Sequence, residues 1–420
     1  MQSMCGQTAV HALFYHSKIR KHKITRRKMT ELKGIHIIDD LQDAVANLTI
    51  EDGIIKSLEY LDVQPDASQP VVMPAFTDLH VHFRDPGLTY KEDVVSGSHA
   101  AVRGGYTAVN MMPNTLPVVD TLDKARDVEA RVRATGLIHG NQAVSMTIGE
   151  LGQDCSHLTA IPAGAIPFVS DDGKGVNRDD IMEQIFLICK EKGFLIMAHE
   201  EDARYSPADL RMAENMMTFR DLDLCRKTGG SIHFCHVSTR EAIEAIREAK
   251  REGLAVSCEI CPHHIFYNAE QAKHYRVAPP FRTDNDIEAL ICALQDGTAE
   301  VISTDHAPHT PEDKANGANG ISGIETAFAL CYTKLVRGGH LSLQQLIRLM
   351  STKPSEMMRL NKGRIQEGMQ ADLVWADLQN PYQIDPASFA SRGKNTPFAG
   401  VTVYGRILKT LKAGKTVYSE

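Results

Sequence analysis

Two histidines stand one residue apart in "DLHVHFRDPG" (78–87), with an arginine two places further on and Pro-Gly closing the segment. Strand side chains alternate faces, so His80 and His82 point the same way. Two neutral imidazoles on one side of a strand supply half of a metal site. Two core histidines with satisfied hydrogen bonds are the plainer alternative. The balance shifts because the same residue types recur where other apolar runs stop. His199 ends "FLIMAH", His236 ends "SIHFCH", Asp305 ends "VISTD", and Asp171 and Asp172 end "GAIPFVSDD". Packing explains this recurrence poorly, because buried polar groups without partners are costly. Convergence on a divalent metal is the better reading, and the chemistry such a metal brings is activation of water and of a carbonyl.

Elements must then bring these residues together. Apolar runs at 73–82, 106–113, 141–148, 164–172, 194–200, 231–238, 254–262 and 299–308 read as eight strands. Near-continuous apolar runs suit strands buried on both faces. Amphipathic stretches fall between most of them. "DDIMEQIFLICKEKG" (179–193) has helical spacing and a glycine at its stop, and "STREAIEAIREAKREG" (238–253) opens on a Ser/Thr cap and also ends in glycine. Eight strands alternating with helices predict a (β/α)8 barrel over 73–363, whose active sites gather at the C-terminal mouth. The flanks, 29–72 and 364–420, carry short alternating segments with Gly and Asp turns, and are expected to meet in a small composite β-sandwich.

Bulk properties narrow the class. A net charge of -7 argues against a nucleic-acid or anionic-membrane partner. Nine cysteines without a framework fit free thiols in a reducing cytoplasm. No apolar run approaches the roughly 20 residues that span a bilayer. Residues 1–28 are basic and free of acids, as in a transit peptide, but lack a clean apolar stretch; they are read as a poorly ordered extension before a start at Met29.

The segments "HVHFRDPG" (80–87), "GGYTAVNMMPNTLPVVD" (104–120), "SDDGKGV" (170–176), "MAHEED" (197–202), "CHVSTREAI" (235–243), "STDHAPHTPEDK" (303–314) and "NGISGIETAF" (319–328) occur in this order. Together they resemble the amidohydrolase superfamily and, within it, the bacterial type I dihydroorotases, from about Met29 to the C-terminus. The resemblance implies one or two zinc ions, two being favoured. It implies His80, His82 and Asp305 at the first, His199 and His236 at the second, and Asp172 as the bridge in place of the carboxylated lysine of many relatives. Asp171 faces the other way by strand alternation and is the reserve. The implied reaction interconverts N-carbamoyl-L-aspartate and L-dihydroorotate in pyrimidine synthesis. Asp305 would carry the proton from water to the leaving nitrogen. His82, Arg84, Asn114, His309 and the backbone of Asn319 and Gly320 would hold the substrate.

One departure stands out. Ala278 in "VAPPFR" occupies a place where the family usually has Asn, so a substrate contact is missing or comes from elsewhere, with Arg282 nearby. Other cyclic amidohydrolases, of the allantoinase or dihydropyrimidinase type, are the near alternative. A non-catalytic dihydroorotase-like partner of aspartate transcarbamoylase is the distant one. A homodimer and a transcarbamoylase association follow from the same resemblance. "CEICPHH" (258–264) suggests a zinc ribbon but lacks a second ligand pair; Cys258 and Cys261 are read as core, and His263 and His264 as packing or supporting groups. His233 is expected to face away from the ligand side.

Overall fold

The computed structural model describes residues 29–420 apart from Ala67 and His274, so the predicted extension over 1–28 lies outside the described residues. The N-terminal flank forms Met29–Ile38 (β1), Asp43–Glu51 (β2), Ile54–Leu61 (β3) and Val71–Pro74 (β4). Eight strands follow: Phe76–Val81 (β5), Tyr106–Met111 (β6), His139–Gln142 (β7), Phe168–Val169 (β8), Leu195–Ala198 (β9), Ile232–Phe234 (β10), Val256–Ile260 (β11) and Val301–Ile302 (β12). The C-terminal flank adds Leu373–Asp377 (β13), Tyr382–Gln383 (β14), Thr402–Val403 (β15), Arg406–Lys412 (β16) and Lys415–Ser419 (β17).

The eight central strands pair in parallel as two arcs, β5-β6-β7 and β8 to β12. Isolated parallel bridges join the arcs at both seams, Val144 to Val169 and Val81 to His306. This is the expected barrel, with ladders only two to six residues long. Its interior is packed by Leu79, Met112, Ala143, Phe168, Met197, Cys235 and Val301. The larger core lies outside, between strands and helices. Four helices illustrate why the sequence delivers the strands in register: Leu122–Thr135 (α1), Asp179–Lys192 (α2), Leu210–Thr228 (α3) and Arg240–Arg251 (α4). The first three stop at Gly136, Gly193 and Gly229, each left-handed, a conformation that costs glycine no Cβ clash. Thr239 caps α4 by accepting from the Ala242 N–H.

Both chain ends meet as predicted, in one seven-stranded sheet ordered β17-β16-β13-β4-β1-β2-β3. Only β1 and β4 pair in parallel. The sheet curls on itself around Ile37, Leu48, Ile50, Ile55, Leu373 and Leu411. Its two edge hairpins touch: a side chain at Gly53 would stand 2.9 Å from Ala413.

Several strand predictions need correction: the runs 141–148 and 299–308 yield only His139–Gln142 and Val301–Ile302, and two others show why the extents fail. The run 73–82 is two strands, not one. Val71–Pro74 belongs to the curled sheet, and the break falls at Ala75, whose N–H donates to Asp372 O rather than to a barrel neighbour. The run 164–172 yields only Phe168–Val169, because Gly164, left-handed, and Pro167, without an N–H, cannot extend the ladder. No helix among the described residues is long and apolar enough to cross a membrane.

Candidate metal centre and active site

The ligand candidates lie just past the strand ends. His80 is in β5 and His82 one residue beyond it; His199 directly follows β9; His236 and Asp305 stand two and three residues beyond β10 and β12. The left-handed backbone at His236 (φ 36°) and Asp305 (φ 47°) turns both side chains back over the barrel mouth. Asp172, past the short β8, is the hub. Its Oδ1 lies 3.3 Å from His80 Nε2 and 3.5 Å from both His199 Nδ1 and His236 Nε2, and its Oδ2 lies 3.4 Å from His82 Nε2. Asp305 Oδ1 is 3.1 Å from His82 Nε2 and 3.7 Å from His80 Nε2. All six predicted ligand residues therefore share one buried cluster. Asp171 is turned away, accepting from the N–H and hydroxyl of Thr147. Burial pushes its carboxyl up to about 6.

The electrostatics of the cluster suit a cation. Burial works to raise the Asp172 carboxyl, yet His80, His199 and His236 hold it well below its ordinary value. Burial works to lower His80, and Asp172 and Glu259 raise it well above. Burial likewise opposes the fall of the Asp305 carboxyl, which His82 and His80 bring to about 2. Buried His80 Nε2 and Asp172 Oδ1 have no hydrogen-bond partner. Orphaned buried polar atoms of this kind call for a missing partner. An imidazole–carboxylate donor set fits a borderline divalent metal such as zinc. The residues fit such a group at two overlapping places, His80 with His82 and Asp305, and His80 with Asp172 and His236.

Glu259, which sequence reasoning missed, holds the cluster from below. It accepts from His80 Nδ1 at 2.7 Å, from His233 Nε2 at 3.2 Å and from the Ser303 hydroxyl at 2.6 Å. That fixes the His80 tautomer and leaves Nε2 for a ligand bond. The signal was an acid inside the apolar strand "AVSCEIC". His233 thus points into the barrel interior, contrary to expectation, because the turn at His236 breaks the alternation that placed them on opposite sides. Asp78, also missed, accepts from the Thr304 N–H at 3.0 Å and steadies the chain before Asp305. Glu201 accepts from His199 Nε2 at 3.1 Å.

Above the cluster opens a cavity of about 350 Å³ lined by His82, Arg84, Asn114, Asp172, His199, His236, Asp305, His309, Asn319 and Gly320. Every predicted substrate residue is on its wall. Arg84 Nη2 lies 3.2 Å from His309 Nε2, and its buried Nε has no partner. Burial, Arg84 and Lys91 push the His309 imidazole down to about 3, so it is neutral. Asn114 bridges the parts: its Oδ1 is 2.9 Å from His82 Nδ1, and its Nδ2 donates to Asp172 O at 3.2 Å. Gly320 has φ +135°, and a side chain there would stand 2.7 Å from Ala307 O, so only glycine brings this backbone to the wall.

Ala278 also lines the cavity, but Arg282 does not fill its place. Arg282 donates to Glu214 Oε2 at 2.9 Å, Ser238 Oγ at 2.9 Å and Leu210 O at 3.0 Å. The "CEICPHH" residues are buried as expected; His264 Nε2 lies 2.9 Å from Pro279 O.

A barrel mouth with clustered imidazoles and carboxylates defines a class, and the amidohydrolase family profile matches residues 71–417: the chain belongs to the amidohydrolase family. Among curated relatives, a dihydroorotase of Clostridium botulinum (strain Eklund 17B / Type B) is 42% identical, covering 93% of this chain and 99% of its own. The dihydroorotase of Bacillus subtilis (strain 168) is 38% identical over 84% of this chain and 89% of its own. Among solved structures, the dihydropyrimidinase of Brevibacillus agri NCHU1002 superposes with a TM-score of 0.84 at 20% identity, covering 93% of this chain and 95% of that one, a likeness of fold.

Proposed function

We propose that the protein is a zinc-dependent dihydroorotase that interconverts N-carbamoyl-L-aspartate and L-dihydroorotate, with two zinc ions held by His80, His82, Asp172, His199, His236 and Asp305. When bound, zinc supplies Lewis-acid polarisation of the amide carbonyl and lowers the pKa of water. The remaining work falls to the chain. Asp305, ionised beside His82, accepts the proton of the attacking water and delivers it to the ring nitrogen as the C–N bond breaks. In the cyclising direction it takes the ureido proton instead. Arg84, Asn114 and His309 pair with the substrate carboxylate that does not react, and the backbone of Asn319 and Gly320 faces the ring.

One observation carries this reading: a buried guanidinium with an unpaired Nε shares a cavity with the imidazole–carboxylate cluster. A free carboxylate beside the scissile amide satisfies it by a charge-assisted hydrogen bond. Dihydrouracil and allantoin offer no such group. Turnover of L-dihydroorotate, dihydrouracil and allantoin by the zinc-loaded protein tests the reading. Preference for dihydroorotate is expected; faster turnover of either other ring would overturn it. Metal analysis is expected to return two zinc ions per chain. Asp305→Asn should lower kcat by at least ~10²-fold, the usual worth of a placed general base, without unfolding the protein; wild-type turnover in that variant would remove the assignment. A homodimer, association with aspartate transcarbamoylase and a cytoplasmic setting are proposed alongside. The free cysteines support the last of these, and light scattering with and without the transcarbamoylase tests the first two.

A further inference from the structure

At the end of the barrel away from the metal centre, where α1 ends and β7 begins, a second cavity of about 350 Å³ lies between the barrel base and the curled sheet. Its wall carries Arg126, Arg133, Lys362 and Lys412 against two acids, Glu129 and Asp372. Two of the cations are answered. Arg126 Nη1 donates to Glu129 Oε2 at 2.6 Å, and Lys362 Nζ lies 3.7 Å from Asp372 Oδ2. Arg133 and Lys412 have no side-chain hydrogen bond or ion pair with any described residue. His139 stands on the same wall. The excess is therefore two formal charges plus an imidazole, in a chain whose net charge is -7. A generally basic surface does not explain it.

The cations also disfavour one another. Lys412 is held below its ordinary value by burial, against the pull of Asp372, and His139 by partial burial and then by Lys412 and Lys362. An anion among them would relieve both effects. We propose that this seam binds the phosphoryl group of a small phosphorylated metabolite. A phosphate monoester carries roughly -1.5 to -2 charges at neutral pH, matching the excess. A phosphate monoester offers three oxygens to an arginine fork and a lysine point charge, one more than a monocarboxylate has. The cavity falls within the roughly 300–1,000 Å³ of small-molecule sites, so it has room for more than the phosphoryl group alone. The inference is independent of the reaction at the barrel mouth.

Calorimetric titration of the full-length, metal-loaded protein at fixed ionic strength tests it, with inorganic phosphate, a nucleoside monophosphate and acetate as probes. Both phosphoryl ligands should bind and acetate should not. Arg133→Gln with Lys412→Gln should weaken binding at least ~10-fold, the factor that 1.4 kcal/mol represents, and leave kcat unchanged. Should the pair fail to fold, each single variant carries the same test. Absence of binding by the wild type would overturn the proposal. So would equal binding by the variants, since the phosphate would then sit elsewhere, at the metal centre for instance.

Discussion

Glu259 touches no predicted substrate, yet it decides how His80 is presented. Its carboxylate accepts from His80 Nδ1, His233 Nε2 and Ser303 Oγ within a fully buried site. Outer partners of this kind typically govern metal affinity by 10–100-fold. Glu259→Gln should therefore weaken zinc binding about 10–100-fold, read by chelator competition; unchanged affinity would mean that His80 is oriented by packing alone. Arg84 makes the complementary case for substrate. Losing one hydrogen bond to a charged group costs about 1.5–3 kcal/mol, so Arg84→Ala should raise KM by about 10- to 150-fold while zinc content stays unchanged. An unchanged KM would count against the clamp. The cluster of candidate ligands was legible because imidazoles and acids at the ends of apolar runs contradict packing. Glu259 was not, because one acid inside one apolar strand shows no partner until β5 and β11 face each other across the barrel.

Loops, more than strands, set the geometry of the mouth. The loop after β5 carries Arg84, and the loop after β6 carries Asn114. They touch where Leu116 N donates to Pro86 O at 3.1 Å. Gly87 sits in that contact with φ +86°, and a Cβ there would fall 1.7 Å from Leu116 O. Gly87→Ala must push the loops apart as well as strain the backbone, a cost of about 1–3 kcal/mol for the conformation alone. The expected outcome is a lower Tm together with a raised KM, since both clamps move. A fall in Tm with KM intact would show that the loops shift as one body. At this scale the sequence was readable in number and order but not in extent. Eight runs marked eight strands, and glycines marked the helix stops. The division at Ala75 escaped because "MPAF" runs apolar straight across it, and only Asp372, some 300 residues away, draws Ala75 toward the other sheet.

The barrel and the curled sheet are joined through their polar groups as well as their cores. Lys362 Nζ donates to Phe76 O at 3.1 Å and to Thr107 Oγ1 in the barrel, while facing Asp372 beside the sheet. Thr410 of β16 donates to Val102 O at 2.7 Å. That both chain ends would meet was readable from their shared alternation; that a buried lysine would join them to the barrel was not. Burial pushes Lys362 down to about 8 from an ordinary 10.5, with Asp372 opposing the fall. Between those values the unfolded chain keeps a proton that the native state has released. By linkage, stability from this group rises as pH climbs from 8 toward 10.5, by at most about 1.4 kcal/mol per unit, and is constant below 8. Lys362→Met removes the titrating group and leaves Asp372 without its buried partner, a loss of the kind that costs about 3–5 kcal/mol. Denaturant unfolding of both proteins from pH 7 to 10 separates the two effects. The variant should be less stable at pH 7, and the gap should widen above pH 8, where the wild type alone gains. A gap that stayed constant would mean that Lys362 keeps its proton throughout and that Asp372 holds it more firmly than burial expels it.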